Sequence, residues 1–254
     1  MHIQLVRHAT LRVTYKGRTL LVDPMFSRAG ELPATPNTPN QRPNPGVELP
    51  MSVSEAVAGV DAILVTHTHR DHLDDAAVSQ LPKHVPLFCQ PPDREKLLEH
   101  GFEQVNVVDS QAEWEGIRLH RTGGRHGTGE IGEKMGPVSG FVLKAADGSE
   151  PTLYLTGDTI WCGEVEQALA AYRPDVIVSF AGAARFLTGD PITMTKEDVA
   201  QLALAAPDSR IFVAHMEVWN HCLLSRSELR AYLGERQLAE RVTVPDDGET
   251  VDYS

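Results

Sequence analysis

The chain has 254 residues, 41% of them hydrophobic, with 35 acidic against 23 basic side chains and a net charge of -12. That suffices for one large core, and the acidity excludes nucleic acid as a partner, because phosphate binding needs a basic face. No run reaches membrane-spanning length, and the opening MHIQLVRHATLRVTYKG alternates polar with apolar residues instead of forming a signal peptide. Cys89, Cys162 and Cys222 are odd in number and lack zinc-finger spacing, which suits reduced thiols in a cytoplasmic protein.

The first elements are β. IQLVRHATLRVTY and GRTLLVD are two β-rich runs around the Lys16-Gly17 turn, and Asp23-Pro24 closes the second. Residues 31–50, ELPATPNTPNQRPNPGVELP, are too rich in Pro for helix or central strand. A loop of that length is a lid or rim of a site, or a surface excursion. SVSEAV suggests a short helix with Ser52 and Glu55 in capping-box spacing. DAILVT is a buried strand, DDAAVSQL a short helix, PLFCQ a strand, and PPDREKLLEHG a helix that Gly101 ends.

VNVVD and WEGIRLHRT follow as strands, then SGFVLKAADGSEPTLYLTGD as a hairpin about Asp147-Gly148. EVEQALAAY is a helix, DVIVSF a strand, TKEDVAQLALAA a helix capped by Thr195 and Asp198, RIFVAH a strand, and SRSELRAYL the closing helix. Strand and helix do not alternate strictly, so a doubly wound parallel sheet fits poorly. A two-sheet core with helices outside, in two halves laid out alike, fits better.

THTHRDHLDD, residues 66–75, crowds three imidazoles and three carboxylates behind the apolar run AILV. His67 and His69 share one side of an extended segment, which makes a metal clamp. Asp71 and His72 come after the chain turns and point elsewhere, so one turn can serve two neighbouring metals. Imidazole with carboxylate suits zinc, iron, manganese or cobalt. Further donors stand at corresponding places: His126 in the glycine-rich RTGGRHGTGE, Asp158 after TLYLTG, and His215 after RIFVA. A lone strand-end histidine is usually a satisfied core residue; the cluster changes the reading of the other three.

THTHRDHLD resembles the HxHxDH signature of the metallo-β-lactamase superfamily, and His126, Asp158 and His215 match that superfamily's later ligand positions in order. RHAT at residues 7–10 and LLVDPMFS at residues 20–27 resemble the branch of L-ascorbate-6-phosphate lactonase and N-acyl phosphatidylethanolamine phospholipase D. The resemblance implies an α/β fold of the αββα four-layer sandwich type, one domain over residues 1–254, with the 31–50 loop near the site. It implies two divalent ions (Zn, Mn or Fe): His67, His69 and His126 would hold one, Asp71, His72 and His215 the other, with Asp158 between. The expected chemistry is attack of activated water on a lactone or other ester, with Asp71 taking part, or on a phosphodiester.

His221 could donate a proton to a leaving group, or serve only as a hydrogen-bonding neighbour of a ligand. Asn220 and Arg185 are candidates for gripping substrate, although a structural salt bridge is the commoner fate of such an arginine. His8 would hydrogen-bond near the site. LVRHAT also resembles the histidine phosphatases, with His8 as nucleophile; Ala9 in place of glycine, and the unexplained HxHxDH cluster, weigh against it. A non-catalytic metal-binding member is a third reading, which seven filled ligand positions disfavour. The expected partner is a small molecule, without membrane insertion, and because related lactonases assemble, a homo-oligomer is also an open expectation.

Overall fold

A computed structural model describes residues 1–253. The chain begins with β1 (His2–Arg7), β2 (Thr10–Tyr15) and β3 (Arg18–Val22), then α1 (Val53–Val57), β4 (Ala62–Val65), α2 (Asp75–Gln80), β5 (Leu87–Cys89), α3 (Arg94–Glu99) and β6 (Val105–Val107). The second half runs β7 (Gln111–Trp114), β8 (Ile117–Thr122), α4 (Gly129–Met135), β9 (Gly140–Ala145), β10 (Leu153–Leu155), α5 (Gly163–Tyr172), β11 (Val176–Phe180), α6 (Lys196–Ala205), β12 (Arg210–Ala214), α7 (Arg226–Glu235), β13 (Val242–Thr243) and β14 (Thr250–Asp252).

Two seven-stranded sheets result, in the orders β14-β1-β2-β3-β4-β5-β6 and β13-β12-β11-β10-β9-β8-β7. In each, antiparallel hairpin strands give way to a parallel set: β3, β4, β5 and β6 in the first, β10, β11, β12 and β13 in the second. The sheets pack face to face, and period-2 alternation explains the layers. In β4, Ala62 and Leu64 enter the inter-sheet core with Leu11, Phe141 and Val178, while Ile63 and Val65 pack outward with Ala77 and Leu97 of the helices. Ile211 and Val213 of β12 likewise face Val199 and Leu229. A strand buried on both faces reads as an unbroken apolar run. The outcome is the expected αββα sandwich.

The capping boxes of Ser52–Glu55 and Thr195–Asp198 form as their spacing predicts. Two expected strands are instead hairpins. IQLVRHATLRVTY folds back at His8, whose φ of 61° turns the chain between β1 and β2. WEGIRLHRT breaks at Glu115-Gly116, both at positive φ, so Trp114 pairs with Ile117. Helix α4 and the short β13 and β14 carry no sequence signal of their own: α4 buries no residue, and the two strands span two and three residues. Among the described residues, no helix is long and apolar enough to cross a membrane.

Candidate metal centre

Strand ends from both sheets meet at one rim. His67 lies two residues beyond β4, His126 beyond β8, Asp158 beyond β10, and His215 directly beyond β12. Gly157 sets up Asp158: its φ is 65°, and a Cβ there would stand 2.3 Å from the Ser139 carbonyl oxygen, so only glycine fits. His215 also adopts a positive φ of 65°, beside His8, whose carbonyl accepts the His215 N–H at 2.8 Å. Two non-glycine residues held in this region mark a site that the surrounding fold over-determines.

The expected donors gather in two groups, His67, His69 and His126 in one and Asp71, His72, Asp158 and His215 in the other, each with ligand atoms within 4.8 Å of one another. His67 Nε2 is 2.9 Å from His69 Nδ1. Asp158 Oδ2 stands centrally, 3.2 Å from His72 Nε2, 3.3 Å from His215 Nε2, 3.6 Å from His126 Nε2 and 4.0 Å from His67 Nε2. Asp71 Oδ2 lies 3.2 Å from His215 Nε2 and 3.3 Å from His8 Nε2.

The outer nitrogens of the rings are held from behind. His126 Nδ1 donates to the Ile192 carbonyl at 2.8 Å and His72 Nδ1 to Asp23 Oδ2 at 2.8 Å, while His67 Nδ1 meets Thr66 Oγ1 at 3.1 Å. His215 Nδ1 is 3.3 Å from the Ala181 carbonyl. Each of these rings therefore aims Nε2 at the common space, the arrangement that orients imidazole ligands. The buried His72 Nε2 and Asp158 Oδ1 have no hydrogen-bond partner. Buried polar atoms are rarely left so, and a divalent cation would satisfy both; the donor set fits zinc, manganese or iron.

Burial opposes charge on His72, but the carboxylates of Asp158, Asp23 and Asp71 outweigh it and raise its pKa to about 10. His215 is raised for the same reason, chiefly by Asp158 against the cost of burial. The same cations outweigh the burial of Asp71 and Asp158 and hold both well below the usual carboxylate range. Where no carboxylate dominates, burial prevails: His126 and His221 fall to about 4, and His8 to about 3. Without metal, the second group is thus a neutralised ion network. A cation held there by Asp71, His72, Asp158 and His215 would replace the protons of His72 and His215.

Outside the donor groups, the expected residues separate. His221 is buried, lines the cavity next to the centre, and has no partner for Nδ1. Asn220 is committed elsewhere: Oδ1 accepts from Thr35 N at 2.9 Å and Asn44 Nδ2 at 2.8 Å, and Nδ2 donates to Thr38 Oγ1 at 2.8 Å. It pins the 31–50 loop and offers nothing to a substrate. Arg185 is exposed, off the cavity wall, and turns back to the Gly189 carbonyl at 3.4 Å; it grips nothing at the centre. His8 is fully buried against Asp71 and opens into a turn, an arrangement unsuited to a phosphorylated nucleophile. Asp23, read from sequence as a turn residue, is the partner of His72 and Thr66. The strand-end pattern that picked out Asp158 also describes TLLVD, so the signal was present.

The β-lactamase superfamily domain profile matches residues 18–216. The chain belongs to the metallo-β-lactamase superfamily. Within it, the UPF0173 protein YddR of Bacillus subtilis is 38% identical over the full length of both chains. The structure of a possible metal-dependent hydrolase from Veillonella parvula superposes with a TM-score of 0.95 at 36% identity, covering 99% of this chain and 98% of that one. An isothiocyanate hydrolase from Delia radicum gut bacteria gives a TM-score of 0.94 at 32% identity, covering 100% and 99%. This member of the UPF0173 family is accordingly a metal-dependent hydrolase.

Proposed function

We propose that this hydrolase uses water activated by two divalent cations to attack a small electrophilic carbon, and that isothiocyanates are its substrate class. The observation that carries the reading is the cavity over the centre, about 300 Å³, floored by His69, Asp71, His126 and His221. Pro33, Pro36, Met135, Phe186 and Trp219 form its apolar walls. Such a cavity suits a compact apolar body carrying one reactive carbon. The isothiocyanate hydrolase aligned along the whole chain supports the class. A phosphodiester would face walls whose only cationic residue is Arg70.

Two bound cations supply Lewis acidity and lower the pKa of water toward neutrality. His67, His69 and His126 would hold one, and Asp71, His72 and His215 the other, with Asp158 between them. In the overall reaction, the oxygen of water bonds to the central carbon of R–N=C=S and the C=N π pair moves to nitrogen, which takes up a proton. The resulting R–NH–C(=S)–OH passes its hydroxyl proton to nitrogen as the C–N bond breaks with its electron pair on nitrogen, giving R–NH2 and carbonyl sulfide. His221, which lines the cavity with its Nδ1 unpartnered, would assist at nitrogen. Burial keeps its imidazole neutral, its pKa lowered to about 4, so it hydrogen-bonds without adding charge. The strap formed by residues 33–36 lines one side of the cavity. The three cysteines are free and buried, which suits the cytoplasm.

The lactone that the branch resemblance implies is the competing substrate. Metal analysis combined with turnover of phenyl isothiocyanate, a γ-lactone and an aryl phosphodiester separates them. We expect two metals per chain and chelator-sensitive release of aniline. Lactone turnover without aniline release would replace isothiocyanates by lactones.

A further inference from the structure

Arg70 stands between the ligand candidates His69 and Asp71, in one of the two positions of the HxHxDH motif that offer no ligand. It lines the cavity over the metal centre and is exposed at its mouth. Its guanidinium has no hydrogen-bond or ion-pair partner among the described residues. That freedom is uncommon here. Arg7 is buried on the Met25 and Ser27 carbonyls, Arg226 pairs with Glu217 and Asp247, and Arg125 with Glu164. In a chain of net charge -12, carboxylates to pair with Arg70 are not scarce. Asp71, its neighbour, is turned inward onto His8 and His215. The cavity therefore has apolar walls, a metal-binding floor and a single unpaired cation at its entrance.

We propose that Arg70 determines specificity, selecting substrates that carry a carboxylate or other anionic group on the end remote from the reacting carbon. The inference rests on the proposed reaction and names its substrate more closely. With the electrophilic carbon on the floor and an apolar body against Phe186 and Trp219, the remote end projects to the mouth. A planar guanidinium there meets a carboxylate with two parallel hydrogen bonds. Partial exposure limits the gain to about fivefold to tenfold in affinity.

The test uses metal-loaded protein and two pairs of probes. Turnover compares 4-isothiocyanatobenzoate with phenyl isothiocyanate; calorimetric binding compares 4-methylbenzenesulfonate with 4-methylbenzyl alcohol. We expect the native protein to prefer the anionic member of each pair by about fivefold to tenfold. Arg70→Gln should abolish the preference and Arg70→Lys retain part of it. Arg28→Gln, which alters an exposed arginine away from the cavity, should retain all of it. Equal affinity for both sulfonate-pair members, or a preference that survives in Arg70→Gln, overturns the proposal. The binding arm needs no turnover, so failure to hydrolyse any isothiocyanate would defeat the proposed reaction while the sulfonate titration still decides the role of Arg70.

Discussion

The Asp23 carboxylate accepts a 2.8 Å hydrogen bond from His72 Nδ1, and the same side chain accepts from the Thr66 amide and hydroxyl, each at 2.7 Å. One buried carboxylate thereby fixes both the exit of β4 and the ring that follows it. Asp23→Asn keeps the shape but allows the ring to turn, because an amide no longer demands the Nδ1–H. We expect metal affinity to fall by about tenfold to a hundredfold. Competition with a chromophoric chelator measures it; affinity equal to the native protein would remove Asp23 from any positioning role.

His69→Ala and Asp158→Ala test the donor assignment itself. Asp158 Oδ2 is within 4.0 Å of four imidazole nitrogens, so its loss should empty both positions, whereas His69 serves only the first group. Elemental analysis should find no bound metal in Asp158→Ala and about half the native content in His69→Ala. Full content in both variants would falsify the assignment.

The layers were legible because β4, β11 and β12 are apolar on both faces, and the centre was legible because packing alone would not place three histidines in THTHRDH. Register was less so. His8 is a poor turn residue by local preference, and its positive φ is imposed by the contact of its carbonyl with His215, more than two hundred positions away. Asn220 was misread for a related reason. Its partners Thr35, Thr38 and Asn44 lie in a loop whose path nothing local specifies, and side-chain amides serve substrates and loops equally well. The cavity walls come from that loop, from α4 and from residues 186 and 219, so substrate shape was the least readable property.

Metal binding should release protons. Without metal, His72 and His215 carry charge at neutral pH, their pKa values raised, that of His72 to about 10, because nearby carboxylates outweigh the cost of burial. A cation needs the neutral imidazole, so both protons must leave. Affinity therefore climbs as pH rises toward 10 and falls in acid. Calorimetry at pH 7.5 in buffers of differing ionisation heat should give about two protons released on filling the second group. Zero release would mean that these rings are neutral before metal arrives.

His221→Phe tests the proposed role of His221, which lines the cavity. Phenylalanine preserves the buried ring and its packing 6.3 Å from the Phe186 ring but removes both nitrogens. We expect kcat to drop about a hundredfold with metal content unchanged. A loss of metal would instead make His221 a ligand, and an unchanged kcat would leave it as wall.

Asn220→Ala should loosen the strap that roofs the cavity. The side chain accepts from Thr35 N and Asn44 Nδ2 and donates to Thr38 Oγ1, so removing it leaves the half-buried Thr35 N–H and the Asn44 amide without those partners, while the Asn220 backbone N–H keeps its bond to Asn44 Oδ1. A buried polar group left unpaired costs about 1–3 kcal/mol, and a half-buried one less. The net loss should be about 2 kcal/mol, or a fall in Tm of about 4–8 °C for a chain of this size. Because Pro33, Thr35 and Pro36 wall the cavity, KM should rise more than kcat falls. Limited proteolysis offers an independent reading, with new cleavage expected between residues 31 and 46. A variant that melts like the native protein and resists protease there would show that Arg42, through its bonds to the Glu217 and Val218 carbonyls, suffices to hold the strap.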